Sequence, residues 1–450
     1  MAAQTDQFRR LPPEVVAQIA GNAPAQAALF AAVNTSIRTQ SGAAAPKWPR
    51  VFHVFLDAYM QASDSERRES MLAALEAQAT RFSLTSISMP DFELDAPGNA
   101  QLHPPMLAPE RGAVRLAAVM ERCPALETLD VARTRVDRWG ELSDALPLCP
   151  RLLRLNLSGQ RIYVRNNPFA GVAMCHALTE LRLADCELAL VAVQLGTALA
   201  QCQQLRLLDL RQNDLGGANT TVQPPVRYMS YILAGLMHHQ SLEHLDLTSC
   251  RLRVPAMRLL GAALPTMLRL EHLDVSTNGL VVLSLLPLIQ ALPLCPGLRD
   301  LRVRKNDGLH CLSMWSLARF NAMRGLASLD LSRCWMAFED LQEVRHGLVF
   351  AAELARCPRL RALNLSENNL GDTFVRGLAR ALPECASLEV LELADAHISD
   401  AGVRALAAGV RLCPWLQRLN VRGNECSEQA RDELQRAWSA THATTVGLET

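Results

Sequence analysis

Leu126-Glu-Thr-Leu129-Asp-Val131-Ala-Arg-Thr134-Arg-Val136 sets the pattern for most of this chain. Written generally it is L-x-x-L-x-L-x-x-N/C-x-L. It returns as Leu152/Leu155/Leu157/Gln160/Ile162, Leu178/Leu181/Leu183/Cys186/Leu188 and Leu205/Leu208/Leu210/Asn213/Leu215. Leu242/Leu245/Leu247/Cys250/Leu252, Leu270/Leu273/Val275/Asn278/Leu280 and Leu298/Leu301/Val303/Asn306 continue it. Leu326/Leu329/Leu331/Cys334/Met336, Leu360/Leu363/Leu365/Asn368/Leu370, Leu388/Leu391/Leu393/Ala396/Ile398 and Leu416/Leu419/Val421/Asn424/Cys426 complete eleven copies. Leu84/Ile87/Met89/Phe92/Leu94 is a degenerate twelfth at the front. Self-similarity at a fixed period is the signature of a solenoid.

First leucines at 242, 270, 298 and 326 give the commonest step, 28 residues. That length holds a strand, a turn, a full helix and a return loop. On this motif and step, roughly residues 82–438 resemble the ribonuclease-inhibitor class of leucine-rich repeat proteins. The resemblance implies an α/β fold: a leucine-rich repeat solenoid, or horseshoe, with a parallel inner sheet and outer helices. Within a strand, successive side chains alternate faces. The fourth and sixth residues of each copy are therefore core, and the third, fifth and seventh line the concave surface. The resemblance further implies that the ninth residue, Asn or Cys, satisfies buried backbone groups in a turn. One repeat cannot bury its apolar face alone, so neighbours supply the core.

At 450 residues the chain exceeds a typical single domain, but a solenoid grows in one dimension. Hydrophobic residues make up 49% and aromatic residues only 5%, which suits a leucine/alanine core. Basic and acidic residues balance at 45 each, so no nucleic acid partner is implied. Met1 to Arg10 lacks the apolar run of a secretory signal. Leu280 to Cys295 is the most apolar stretch, too short for a membrane span and interrupted by Pro287 and Pro293; it is the helix of one repeat. The expectation is a soluble protein with no membrane contact, cytoplasmic or nuclear.

Thirteen cysteines would suggest disulfides were they not in register with the repeat. Cys123, Cys149, Cys175, Cys202, Cys295, Cys357, Cys385 and Cys413 each stand three residues before a first leucine, and Cys186, Cys250 and Cys334 occupy the ninth position. Their odd number and their register argue for small buried hydrophobes. The lack of C-x-x-C argues against structural zinc.

Residues 1–81 depart from the repeat. Leu11-Pro-Pro-Glu14-Val15-Val16 starts a helix with Pro near its first turn. Val15 and Ile19 share a face, and Leu29, Val33 and Ile37 make a second stripe. The helical head, residues 1–50, resembles an F-box: Leu11, Pro12, Glu14, Val15, Ile19, Leu29 and Val33 match that family, while Ala23 and Ile37 replace a larger apolar residue and a tryptophan. The resemblance implies binding of a Skp-type adaptor; the alternative is a plain cap on the first repeat. Residues 51–81 are expected to be a helical linker, with helices at Val51 to Met60 and Asp64 to Ala79. Repeats four and eight are enlarged, the former through Gly216 to Pro225 and the latter through Trp335 to Arg356. Ser427 to Trp438 is expected to close the solenoid as a helix with Leu434 and Trp438 inward, and residues 439–450 to fray.

No P-loop, G-x-S-x-G or H-E-x-x-H motif is present, so no catalytic residue, cofactor or metal is assigned. Leu242-Glu-His244-Leu-Asp246 and Leu270-Glu-His272-Leu-Asp274 are near-identical strands. In register they place His244 beside His272 and Asp246 beside Asp274, about 4.8 Å apart. Asp209, Asp246 and Asp274 form an acidic stripe, with Arg211 beside it; Arg302 and Arg304 switch the sign one strand on. A charge switch on one face orients a protein partner. Three function classes follow. The first is a substrate receptor of a Skp–cullin–F-box ubiquitin ligase. The second is a non-ligase repeat scaffold. The third, weaker, is a GTPase activator resembling the Ran GTPase-activating protein, whose usual acidic tail is absent from Thr441 to Thr450.

Overall fold

A computed structural model describes residues 51–53, 84–88, 112–134, 136, 139–164, 167–216, 227–237, 239–309, 321–337, 341–442 and 447–450. The chain divides into two compact units at Leu207/Leu208. The F-box-like head, residues 54–81 and the insertion from 217 to Pro225 lie outside the described residues.

In the first unit, strands β1 (Val51–His53), β2 (Ser86–Ser88), β3 (Thr128–Asp130), β4 (Arg154–Asn156) and β5 (Glu180–Arg182) run parallel in chain order. Helices α1 (Gly112–Glu121), α2 (Trp139–Ala145), α3 (Phe169–Val172) and α4 (Ala192–Gln201) alternate with them. One expectation fails here. Val51–His53 is extended, not helical, and pairs with β2 through Phe52 and Ile87. Val51-Phe-His-Val54 is rich in β-branched and aromatic side chains, which favour a pleated surface. The sheet thus reaches further forward than the repeat motif does.

Strand β6 (Leu207–Asp209) begins at the division, with Leu208 and Asp209 in the second unit, which also holds β7 (His244–Asp246), β8 (His272–Asp274), β9 (Asp300–Arg302), β10 (Ser328–Asp330), β11 (Ala362–Asn364), β12 (Val390–Glu392), β13 (Arg418–Asn420) and β14 (Leu448–Glu449). From β7 on, each strand pairs in parallel with the next and in strict register, Leu245 opposite Leu273 and Leu273 opposite Leu301. Its helices are α5 (Arg227–Leu236), α6 (Val254–Ala263), α7 (Val282–Ala291), α8 (Leu341–Leu354), α9 (Gly371–Ala381), α10 (Asp400–Val410) and α11 (Glu428–Thr441). The fold is a leucine-rich repeat solenoid. Leu245, Leu273 and Leu301 are buried together with Leu260, Leu288 and Leu378 of the helices, and these side chains form the core.

The ninth residue earns its identity. Asn306 donates to the carbonyls of Val303 and, one repeat back, Val275; its own oxygen accepts from the Asn278 and Leu280 amides. Asn278, Asn368 and Asn424 repeat that bridging arrangement. Where the residue is Cys, its thiol donates to the carbonyl one repeat back, as Cys250 does to Leu210 at 3.0 Å. A buried backbone group left unpaired would cost about 1–3 kcal/mol, so this row joins neighbouring repeats. The eighth residue takes a left-handed backbone in repeat after repeat, as at Gln212, Ser249, Thr277, Lys305, Arg333, Glu367 and Asp395.

Every described cysteine is buried and unbridged; Cys311 lies outside the described residues. Cys295, Cys357, Cys385 and Cys413 each donate a thiol to the carbonyl four residues earlier, at a helix end. Burial pushes the Cys250, Cys334 and Cys385 thiols up to about 12.

At the far end, α11 is capped by Ser427, and Leu434 and Trp438 are fully buried, as the sequence implied. Among the described residues of 439–450 the chain is ordered rather than frayed. The helix runs to Thr441, and Leu448–Glu449 adds a strand, because the β13 edge offers amides that Gly447 and Glu449 carbonyls accept at 2.8 and 2.7 Å.

Candidate protein-binding surface

Strand alternation turns the third, fifth and seventh residues of each repeat away from the core. On β7 to β9 this open face carries ionisable side chains in two columns. The third-position column is His244, His272 and Asp300, aligned across adjacent strands. The two imidazoles stack with centroids 4.1 Å apart and planes 4° from parallel. His272 Nδ1 lies 3.2 Å from Asp300 Oδ2, and the Arg302 guanidinium donates to the same oxygen at 2.9 Å. Asp300 is only 8% exposed, and its Oδ1 is buried without a protein partner. Burial, then the adjacent His272, holds the His244 pKa below its ordinary value; Glu243, Glu271 and Asp300 oppose that shift.

The fifth-position column is Asp209, Asp246 and Asp274. Each Oδ1 accepts the amide two residues on, from Arg211 at 3.1 Å, Thr248 at 2.9 Å and Ser276 at 2.8 Å. Asp130 and Asp330 do the same, as do Asn156, Asn364 and Asn420. This local turn explains why the position reads Asp or Asn in most copies, Arg182, Arg302 and Glu392 being the exceptions. The oxygen is structural, while the charge is not needed for this turn. Arg211 grips Asp209 with two bonds, at 3.0 and 2.8 Å, and reaches Asp246 at 3.4 Å. Burial raises the Asp246 pKa against the Thr248 hydrogen bonds, and Asp274 and Asp209 raise it further.

The structure therefore gathers Asp209, Arg211 and Asp246 into one network, and His244, His272 and Arg302 into another around Asp300. Arg304 stands apart, 3.2 Å from Glu367, which also pairs with Arg333 at 3.6 Å. Asp300 and Glu367 escaped the sequence reading. Asp300 was legible, since it falls in the same column as the two histidines. Glu367 was not, because its pairing to Arg304 spans two repeats. The histidine rings stack rather than converge with the carboxylates on one point. Among the described residues no group of three or more His, Cys, Asp and Glu is arranged to hold a metal ion.

The Leucine Rich repeat family matches at residues 238–260, 356–376 and 384–407. These are leucine-rich repeats. They make the chain a repeat module for protein–protein interaction. No curated protein matches the chain. Among solved structures, an internalin from Listeria monocytogenes str. 4b F2365 is similar with a TM-score of 0.46 and 12% sequence identity, over 86% of this chain and 94% of that one. Among the described residues no helix is long and apolar enough to cross a membrane.

Proposed function

We propose that the open face of β6 to β9 docks a protein partner, and that the chain is a substrate receptor of a Skp–cullin–F-box ubiquitin ligase rather than an enzyme itself. The observation that supports the docking face is the concentration there of Asp209, Arg211, His244, Asp246, His272, Asp274, Asp300 and Arg302, prearranged by pairs such as Arg211–Asp209 and Arg302–Asp300. Prearranged charges orient an encounter and hold register more than they add affinity. The adaptor role rests on the sequence of the head alone: Leu11, Pro12, Glu14, Val15, Ile19, Leu29 and Val33.

Two experiments separate the parts of the proposal. A Skp-type adaptor should co-purify with the full chain and be lost from a Leu11→Asp, Val15→Asp variant. If the adaptor never associates, the ligase role falls and the chain is a repeat scaffold. Proteins captured by the full chain should be lost from an Asp246→Asn, Asp274→Asn variant that still binds the adaptor. Capture unchanged in that variant would remove the docking face from β6–β9.

A further inference from the structure

Strand β14 is the last in the order of the described sheet. It is two residues long, and both Leu448 and Glu449 remain partly exposed. The apolar end of the second unit is already sealed by α11, through Leu434 and Trp438. What holds β14 is a short list of polar contacts. The Leu419 amide donates to the Gly447 carbonyl at 2.8 Å, and the Val421 amide to the Glu449 carbonyl at 2.7 Å. The Glu449 carboxylate is clasped by Arg418 at 3.0 Å and Arg422 at 3.2 Å. Arg418 is itself steadied by Glu392 at 2.9 Å. A few backbone hydrogen bonds and partly exposed ion pairs hold a strand only weakly, so such a strand opens easily. The edge beneath it presents a row of backbone groups, which is a template for another strand.

The contacts also define a sequence. Gly447 has φ +96°, and a Cβ there would sit 2.0 Å from the Gln417 carbonyl oxygen, so only glycine fits. Two residues on, the paired guanidiniums of Arg418 and Arg422 require a carboxylate. We propose that the β13 edge, with Arg418 and Arg422, is a strand-addition site for an extended peptide of the form Gly-x-Glu. The chain's own Gly447-Leu448-Glu449 fills this site in cis and competes with a partner that carries the same pattern. Main-chain bonds supply the affinity and the two selective positions the specificity, as in other edge-strand recognition.

The test uses the full chain and a fluorescein-labelled peptide with the sequence of residues 442–450. Glu449→Lys loosens the tethered strand by setting a cation against Arg418 and Arg422, while circular dichroism checks that the repeats are intact. Fluorescence anisotropy should show at least tenfold tighter peptide binding to Glu449→Lys than to the unaltered chain. A peptide with Gly447→Ala should not bind. An Arg418→Glu, Arg422→Glu chain should reject the parent peptide and accept one with Glu449→Lys. Equal binding of the glycine and alanine peptides, no gain in the Glu449→Lys chain, or no effect of the arginine reversal overturns the proposal.

Discussion

Strands β6–β9 and β10–β12 of the second unit share one backbone, one register and one turn chemistry, yet their open faces differ. The first carries Leu207, Asp209, Arg211, His244, Asp246, Thr248, His272, Asp274, Ser276, Asp300, Arg302 and Arg304. The second carries Ser328, Asp330, Ser332, Ala362, Asn364, Ser366, Val390, Glu392 and Ala394. The core and the ninth-position row do not differ in kind: Asn306 bridges repeats beneath the first face as Asn368 does beneath the second. The solenoid thus constrains the fourth, sixth and ninth residues and leaves the third and seventh free. The ionisable groups at the third and seventh positions, His244, His272, Asp300, Arg211 and Arg304, and the charge rather than the oxygen of the fifth-position aspartates, are not needed for folding, which supports the proposed docking face.

Thiol reactivity gives the largest expected difference, and it should be the same for both regions. Cys250 and Cys334 sit in the turn row beneath each face, with thiols pushed up to about 12 by burial. Their labelling in the native protein should be at least about a hundredfold slower than after denaturation, since the thiolate is the reactive form. Fast native labelling of one and not the other would show that the two turn rows are not equivalent.

Next in size is the asparagine row. Asn306→Ala and Asn368→Ala each strip several buried backbone groups of partners, and each should cost about 3 kcal/mol. Denaturant unfolding followed by circular dichroism measures this. A loss under about 1 kcal/mol at either site would contradict the inter-repeat role.

The fifth position sharpens the contrast between oxygen and charge. Asp274→Ala and Asp330→Ala should each lose about 1 kcal/mol, because both lose the turn bond to the residue two on. Asp274→Asn and Asp330→Asn keep that oxygen and should recover most of the loss. If the Asn variants are as unstable as the Ala variants, the charge itself is structural.

The smallest effect is in pH. His244 has a folded pKa below its ordinary value through burial and the His272 ring, so folding is disfavoured once the unfolded chain takes up a proton that the folded one resists. That part of stability is intact above about pH 6.5 and is lost as pH falls through the lowered folded value. The loss should be under about 1 kcal/mol, for a half-exposed ring. NMR titration should find His244 charging below the ordinary histidine range. Replacing His272 with Gln should raise the His244 midpoint.

The fold was legible because its determinants recur. Leu245, Leu273 and Leu301 announce buried strands, and the ninth-position Asn or Cys announces the turn, in copy after copy. The His244/His272 pairing followed from register alone. What the pattern hid was whatever occurs once. Val51–His53 lacks the leucine framework, so its pairing with β2 left no periodic trace. Gly447 to Glu449 is held by arginines from the preceding repeat, which no local reading of a polar tail reveals. The turn bond of the fifth-position Asp was hidden by its apparent redundancy as a surface charge, although the Asn at 156, 364 and 420 marks it.

The central claim is that the open face of β6–β9, and not that of β10–β12, binds the partner. The direct measurement is quantitative mass spectrometry of proteins captured by three versions of the full chain, each checked for fold. These are the unaltered chain, Asp246→Asn with Asp274→Asn, and Ala362→Arg with Ala394→Arg. Removing central charged contacts typically costs about 2 kcal/mol or more, which is more than tenfold in affinity. A partner abundant with the unaltered chain should be depleted more than tenfold by the Asn pair and retained by the Arg pair. Retention by the Asn pair with loss from the Arg pair would contradict the account and move the binding site to β10–β12.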